Sequence, residues 1–353
     1  MTEVTAPSPS HPSVPDFLTT ILLGHNAFQF FRAGVELGLF ELLERSPGIP
    51  REQIGKDLEL SERALDILLL GTTALHLTEH DPLGYRNHPA LSALFTDGHW
   101  DLVTAVVGFE AYITYPGVAD FTEALRANSN VGLRRYPGDG PTVYHRLSAD
   151  PRLLEVFYHF MGTWSAIASG NLTSYGGFSS ASRILDIGGG DATIAMAIAR
   201  GHPGAEVTVL EIPRVAELAR NRVEAAGLAD QVKVVAADIF EDGYPTGYDT
   251  VMFVHQMQIW PLERVRALLK RAHDALPAGG RALIMNSMSE DGYDGPLMAA
   301  LASPFFAAVA GDGGMIYSWD KYEESLKAVG FGHVERVHCI GAITPHGIVT
   351  GVK

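Results

Sequence analysis

From residue 182 onward the chain alternates short strand-like runs with helical stretches, and this rhythm constrains the fold more than any other feature. The runs are RILDI (183–187), EVTVLE (206–211), VKVVA (232–236), YDTVMFV (248–254), RALIMN (281–286), HVERVH (333–338) and GIVTGVK (347–353). Short apolar strands separated mostly by helical patterns build a doubly wound α/β sheet with helices on both faces. No helix-length segment separates the last two runs, so they are expected to pair antiparallel at the sheet edge. That pairing would set this Rossmann-like domain, over 181–353, apart from a standard dinucleotide-binding fold.

The preceding residues read as three further regions. Residues 1–16, rich in Pro, Ser and Thr, are expected to be a disordered tail. Over 17–100, Phe28, Phe31, Val35, Leu39 and Leu42 keep helical spacing. Short helical pieces follow, with Ser61 as an N-cap before Glu62. A polar turn, EHDPLG, then leads into an extended YRNH. Short helices followed by a two-stranded wing read as a mainly α, winged-helix-like unit. Its first helix is too apolar for solvent, and a second copy of the chain is the simplest cover. Residues 101–180 look helical and aromatic, a linker that is either plain core or the lining of an apolar substrate pocket.

Composition narrows the partners. The chain has 353 residues, 46% of them hydrophobic, enough for two domains. Its formal charge is -15, which repels nucleic acid and anionic membrane surfaces. The helix after Ser61 offers only Arg63 as a basic residue, so a DNA-reading wing is not expected. Cys339 is the only cysteine, which suits a reducing cytoplasm. The N-terminus has neither the basic nor the apolar stretch of a signal peptide. No 18-residue apolar run spans a bilayer.

The turn after the first strand is Asp186-Ile187-Gly188-Gly189-Gly190-Asp191. Glycines there, Gly188 and Gly190 among them, allow a tight strand-to-helix turn and close approach of a ligand to the backbone. In dinucleotide register the sixth position is Thr193, so that fingerprint is broken. The carboxylates around the turn say more. Asp186 sits at the carboxyl edge of its strand, and Glu211 ends the second strand, where it can accept two ribose hydroxyls. Asp238 follows the third, placed to accept from an adenine amino group, with Ile239 and Phe240 against the ring. Each acid alone can be a helix cap. Together they suit a cationic, phosphate-free nucleoside, since Asp186 and Asp191 would repel a pyrophosphate.

DIGGGDATIAMAIARGHPGAEVTVLEIP resembles the cofactor motif of the plant-type and bacterial S-adenosylmethionine (SAM)-dependent O-methyltransferases, and PAGGRALIMN and YEESLKAVGF resemble their later blocks. The resemblance covers nearly the whole chain. It implies a class I SAM methyltransferase sheet, a winged-helix-like N-terminal dimerisation domain and a homodimer. It also implies cofactor roles for Asp186, Gly188, Glu211, Asp238 and Ile239. The family places Phe, Met and Ser at four-residue steps near SAM and substrate, and Phe157, Met161 and Ser165 match that spacing. Tyr112, Trp164, Met298 and Phe305 join them as candidate lining for an aromatic small-molecule acceptor.

One departure bears on the reaction. The family's general base is a His in a His-Asp-Trp segment after the fourth strand. Here FVHQMQIWPLERV, anchored on Trp260, puts Gln258 at the His position and Ile259 at the Asp position. A phenol, with pKa near 10, is a poor nucleophile until it loses its proton, and Gln cannot take one. Three accounts stay open. The acceptor atom is a carbon or an amine that needs no such base, which favours C- or N-methylation over O-methylation. Alternatively another residue serves, with His255 first and His159 and His346 behind it, though each can be a structural histidine. Or the fold binds SAM for hydroxylase or pericyclase-like chemistry. If residues 255–258 are helical, His255 and Gln258 share a face. A NAD(P) oxidoreductase and a winged-helix DNA regulator are the competing classes. No metal site is expected.

Overall fold

The computed structural model describes residues 16–178, 182–311, 313–339, 344 and 346–353. They form two compact units that divide between Val107 and Gly108. Residues 1–15 of the expected tail lie outside the described residues, and Asp16 opens the first helix.

In the first unit, the apolar stretch from Phe17 resolves into the helices Asp16–Leu22, Gly24–Glu36 and Leu39–Arg45. The break at Gly38 has a backbone cause: its φ of 74° lies in the left-handed region, which glycine adopts freely. The helices Arg51–Asp57 and Glu62–Ala74 follow. Ser61 caps the second, its hydroxyl accepting from the Ala64 N–H at 3.4 Å. Strands β1 (Thr78–Asp81) and β2 (Gly84–Asn87) pair antiparallel. The turn is shorter than the sequence suggested. Glu79, His80 and Asp81 join the strand, and Asp81 closes the turn by accepting from the Leu83 N–H at 2.7 Å. Phe40, Leu43, Ile54, Leu65 and Leu69 form the core. Phe17, Ile21, Leu22, Leu23, Ile67 and Leu70 remain exposed. A groove of about 860 Å³ runs beside them, lined mainly by Leu23, Ala27, Phe30, Ala33, Ile67, Leu70 and Leu75.

The second unit carries a seven-stranded sheet of β3 (Arg183–Ile187), β4 (Glu206–Glu211), β5 (Val232–Ala236), β6 (Thr250–Val254), β7 (Arg281–Ser287), β8 (Val334–His338) and β9 (His346–Val352). Its order is β5-β4-β3-β6-β7-β9-β8, with β9 antiparallel to both neighbours. The last two runs therefore pair at the edge as expected, and β8 is outermost. Two-residue periodicity sorts the apolar side chains. Leu185, Ile187, Val251, Phe253 and Ile284 pack with Leu268, Tyr322 and Leu326 on one face. Ile184, Val207, Val209, Met252 and Met285 pack with Leu172, Ala195 and Ile198 on the other.

A third cluster gathers Phe109, Ile113, Leu133, Phe305 and Val309. It includes two π-helical turns, Glu110–Thr114 and Phe306–Ala310, a geometry frequent near functional sites. The longest helix, Pro151–Thr173, begins with Asp150 accepting from the Arg152 and Leu153 N–H groups and Pro151 in its first turn. No single helix among the described residues is long and apolar enough to cross a membrane.

Candidate functional site

The glycine turn at the carboxyl end of β3 is built for close approach. Gly188 has a φ of 68°, and a Cβ there would fall 2.1 Å from the Gln256 Nε2. A Cβ on Gly189 would fall 2.4 Å from an Asp186 carboxylate oxygen. Neither position tolerates a side chain without displacing a polar neighbour.

Asp186 is 1% exposed, and neither carboxylate oxygen has a hydrogen-bond partner. Burial pushes its pKa up to about 8, with the Glu211 charge adding to the effect. An orphaned, buried carboxylate is costly, and a cationic ligand relieves that cost. SAM, whose methionine end carries an ammonium, fits this group. Glu211 ends β4, where its Oε2 accepts from the Gly190 N–H at 3.1 Å and its Oε1 from the Ile212 N–H at 2.8 Å. Burial raises its pKa, and those two donors oppose the shift. One atom of Glu211 therefore already holds the glycine turn in shape.

The other acids differ. Asp238 is exposed, and its Oδ1 caps the turn after β5 by accepting from the Phe240 N–H at 2.7 Å and the Glu241 N–H at 3.2 Å. Ile239 is buried beside Leu185 and Val251. Asp191 caps Thr193 at 3.1 Å and forms an ion pair with Arg222. Arg222 thus neutralises its charge, and Asp191 no longer argues against a pyrophosphate.

The Pro151–Thr173 helix presents half-buried Phe157, Met161, Trp164 and Ser165. Aromatic rings run in a continuous ladder from it. Trp164 lies 5.4 Å from Phe160, Phe160 is stacked 4.1 Å from Phe109, and Phe109 meets Phe305 edge-on at 5.0 Å. Phe157 packs against Tyr144 at 5.7 Å. Tyr112 carries the Arg152 guanidinium over its ring at 4.3 Å. Met298 is exposed on the helix Leu297–Phe305. His159 is exposed on a shallow groove with Tyr158, Thr163, Asp191 and Arg222.

Residues 255–258 are not a helix. His255 follows β6 with a φ of 57°, and the chain then enters a 3₁₀ turn over Met257–Ile259. Gln258 is buried there, and its Oε1 has no hydrogen-bond partner. His255 instead meets His346, the first residue of β9, with their Nε2 atoms 2.8 Å apart. Both are buried. Burial, and then the charge of His346, holds the His255 pKa well below the ordinary histidine range. Burial lowers that of His346 to about 4, so both rings are neutral at pH 7. The Thr344 hydroxyl hydrogen-bonds the His346 Nδ1. Trp164 lies 5.1 Å from His346 and 6.4 Å from His255.

Two residues carried no sequence signal. Gln256 accepts from the Trp260 indole N–H at 2.9 Å and fills the space beside Gly188. Glu110, in the first π-helical turn, has its pKa raised to about 7 by burial.

Residues 120–332 match the O-methyltransferase domain family. The chain is 46% identical over 349 residues to the L-tyrosine C(3)-methyltransferase of Streptomyces lavendulae, covering 98% of this chain and 95% of that protein. It is 30% identical over 346 residues to the 3-hydroxy-5-methyl-1-naphthoate 3-O-methyltransferase of Streptomyces sahachiroi, covering 98% and 97%. Among solved structures, the apo form of the S-adenosylmethionine-dependent methyltransferase SibL matches with a TM-score of 0.87 and 42% identity, covering 96% of this chain and 98% of that one.

Proposed function

Because the chain belongs to the O-methyltransferase family, and is accordingly a SAM-dependent small-molecule methyltransferase, we propose that it methylates a ring carbon of L-tyrosine or a closely related phenol. The near full-length similarity to the L-tyrosine C(3)-methyltransferase carries this reading. Gln258 supports it, since a side-chain amide can orient an acceptor but cannot deprotonate a phenol.

Bound SAM supplies an electrophilic methyl group on a sulfonium. The chain's part is to bind and orient. In this reading Asp186 holds the ammonium, and the Gly188–Gly190 turn admits the cofactor against bare backbone. Glu211 takes the ribose hydroxyls while keeping the Gly190 N–H. Asp238 has its Oδ2 for the adenine amino group, Ile239 lies against the ring, and Ser165 stands on the cofactor side of the long helix. Phe157, Met161, Trp164 and Phe305, with Tyr112 and Met298 at the margins, enclose a flat apolar acceptor and exclude water. The first unit, winged-helix-like, pairs with a second copy across its exposed apolar helices, and a reducing cytoplasm suits Cys339.

The test is incubation with methyl-labelled SAM and L-tyrosine, followed by NMR of the product. A methyl on the carbon beside the phenolic oxygen, with the phenol free, is expected. An O-methyl product, or no transfer to any phenol by SAM-loaded protein, overturns the reading.

A further inference from the structure

The buried imidazole pair at the carboxyl edge of the sheet has a use in this reaction. We propose that His255 accepts the acceptor's phenolic proton as the new carbon–carbon bond forms, and that His346 and Thr344 position His255 for it. This rests on the reading above, ring-carbon methylation of a phenol.

Placement comes first. His255 directly follows β6 and His346 opens the antiparallel β9, so both stand at the carboxyl edge where ligands bind in open α/β sheets. The residue after His255 is Gln256, whose side chain fills the space beside Gly188 in the cofactor turn. Trp164 of the long helix borders both imidazoles. The backbone at His255 is held in the left-handed region at φ 57°, a conformation that costs about 1 kcal/mol or more in a non-glycine residue and gathers at functional sites.

Connectivity comes next. With a proton on the His346 Nδ1 shared with Thr344, and one on the His255 Nε2 donated to the His346 Nε2, the His255 Nδ1 keeps a lone pair. His346 then plays the orienting part that a carboxylate plays for many catalytic histidines. It adds no negative charge beside the cationic cofactor.

The chemistry suits a weak base. The ring carbon beside the phenolic oxygen attacks the sulfonium methyl. The C–S pair leaves with sulfur as a neutral thioether, and the new C–C bond makes the phenolic O–H strongly acidic. That proton passes to the His255 Nδ1 and leaves a dienone. Rearomatisation releases the ring C–H proton to solvent while His255 returns its proton to oxygen. The net products are the C-methyl phenol, S-adenosylhomocysteine and one proton. A stronger base would ionise the phenol beforehand and expose its oxygen to methylation. Burial that keeps both rings neutral is consistent with this role.

The test compares wild type, His255→Asn and His346→Gln on L-tyrosine and on fluorinated tyrosines that keep one free ring carbon beside a more acidic phenol. Asn tolerates the left-handed backbone and cannot take the proton. Removing a general base costs about 100-fold or more in turnover, so that loss is expected for His255→Asn on L-tyrosine. The deficit should shrink steadily as the phenol becomes more acidic, with SAM affinity unchanged. His346→Gln should show a smaller loss with the same trend, and it carries the test if melting curves show that His255→Asn does not fold. An equal deficit across the series, or wild-type turnover in both variants, overturns the assignment. Wild-type protein that labels no phenol overturns the reaction instead, and the two failures are told apart in one experiment.

Discussion

SAM binding at pH 7 should release close to one proton, and Asp186 is its source. Without cofactor the Asp186 carboxyl has a pKa of about 8, raised by burial and by the neighbouring Glu211 charge. At pH 7 about 0.9 of the molecules then carry the proton. An ammonium beside the carboxylate favours its ionised form, so binding expels that proton. The linked effect is on affinity. Between pH 6 and pH 7 the ionised fraction rises about tenfold, and SAM affinity should rise with it by about the same factor. Holding the measurement at or below pH 7 keeps the cofactor's α-amino group protonated, since its pKa is about 7.7–8.0. The same shift acts on the SAM-free fold. A pKa raised above its unfolded value of 3.8 gives stability that is present below that value and lost as pH rises towards 8. Calorimetric titration in two buffers of different ionisation enthalpy reads the proton count directly. Asp186→Asn should lose both the proton release and the pH slope. Zero proton release at pH 7, or an affinity flat between pH 6 and 7 in the wild type, refutes the electrostatic reading of Asp186.

Three further outcomes are expected. Glu211→Ala should weaken SAM binding about 10- to 100-fold, because it removes a charged acceptor for the cofactor and the anchor of the Gly190 N–H together; calorimetry that finds unchanged affinity removes Glu211 from the ribose role. Gln258→His should leave SAM affinity intact and shift product from C-methyl towards O-methyl phenol, as mass spectrometry and NMR of the product would show; an unchanged product ratio argues against control at this position. Ile21→Glu combined with Leu70→Glu places charge on two exposed apolar positions of the first unit and should convert a dimer to monomers in light scattering, whereas a wild type that is already monomeric removes the pairing proposal.

How much of this was legible in the sequence depended on the range of each signal. The sheet was readable because alternation is local: Ile184 and Leu185 point to opposite faces by position alone. The placement of Asp186 and Glu211 at strand ends was readable for the same reason, since the strand pattern fixes where each side chain emerges. What failed was the reading of contacts that close over distance. Asp191 looked like a free negative charge, and Arg222, on another helix, cancels it. The local turn that takes one oxygen of Asp238, and leaves the other for a ligand, gave no sequence signal. His255 and Gln258 were aligned on an imagined helix, which the left-handed backbone at His255 interrupts. The partner of His255 lies 91 residues away, and no periodicity carries information across that span.

The two full-length relatives, one a C(3)-methyltransferase and one a 3-O-methyltransferase, show that the scaffold does not by itself choose between carbon and oxygen. The choice follows from when the phenol loses its proton. A base strong enough to ionise it before methyl transfer concentrates charge on oxygen, and oxygen is then the better nucleophile. If the proton stays until the bond forms, the phenol remains neutral, and its ring carbon competes through electron donation from the hydroxyl. Gln258 withholds the early base. A neutral imidazole pair kept dry by Trp164 and the aromatic ladder would supply the late one. On this argument the selectivity-determining variable is the strength of the base that meets the phenol rather than pocket shape. Raising the acidity of the acceptor should then erode carbon selectivity even in the unaltered protein. Product ratios across the fluorinated tyrosines would show this, and a ratio that stays constant while the phenol pKa falls would return the choice to shape.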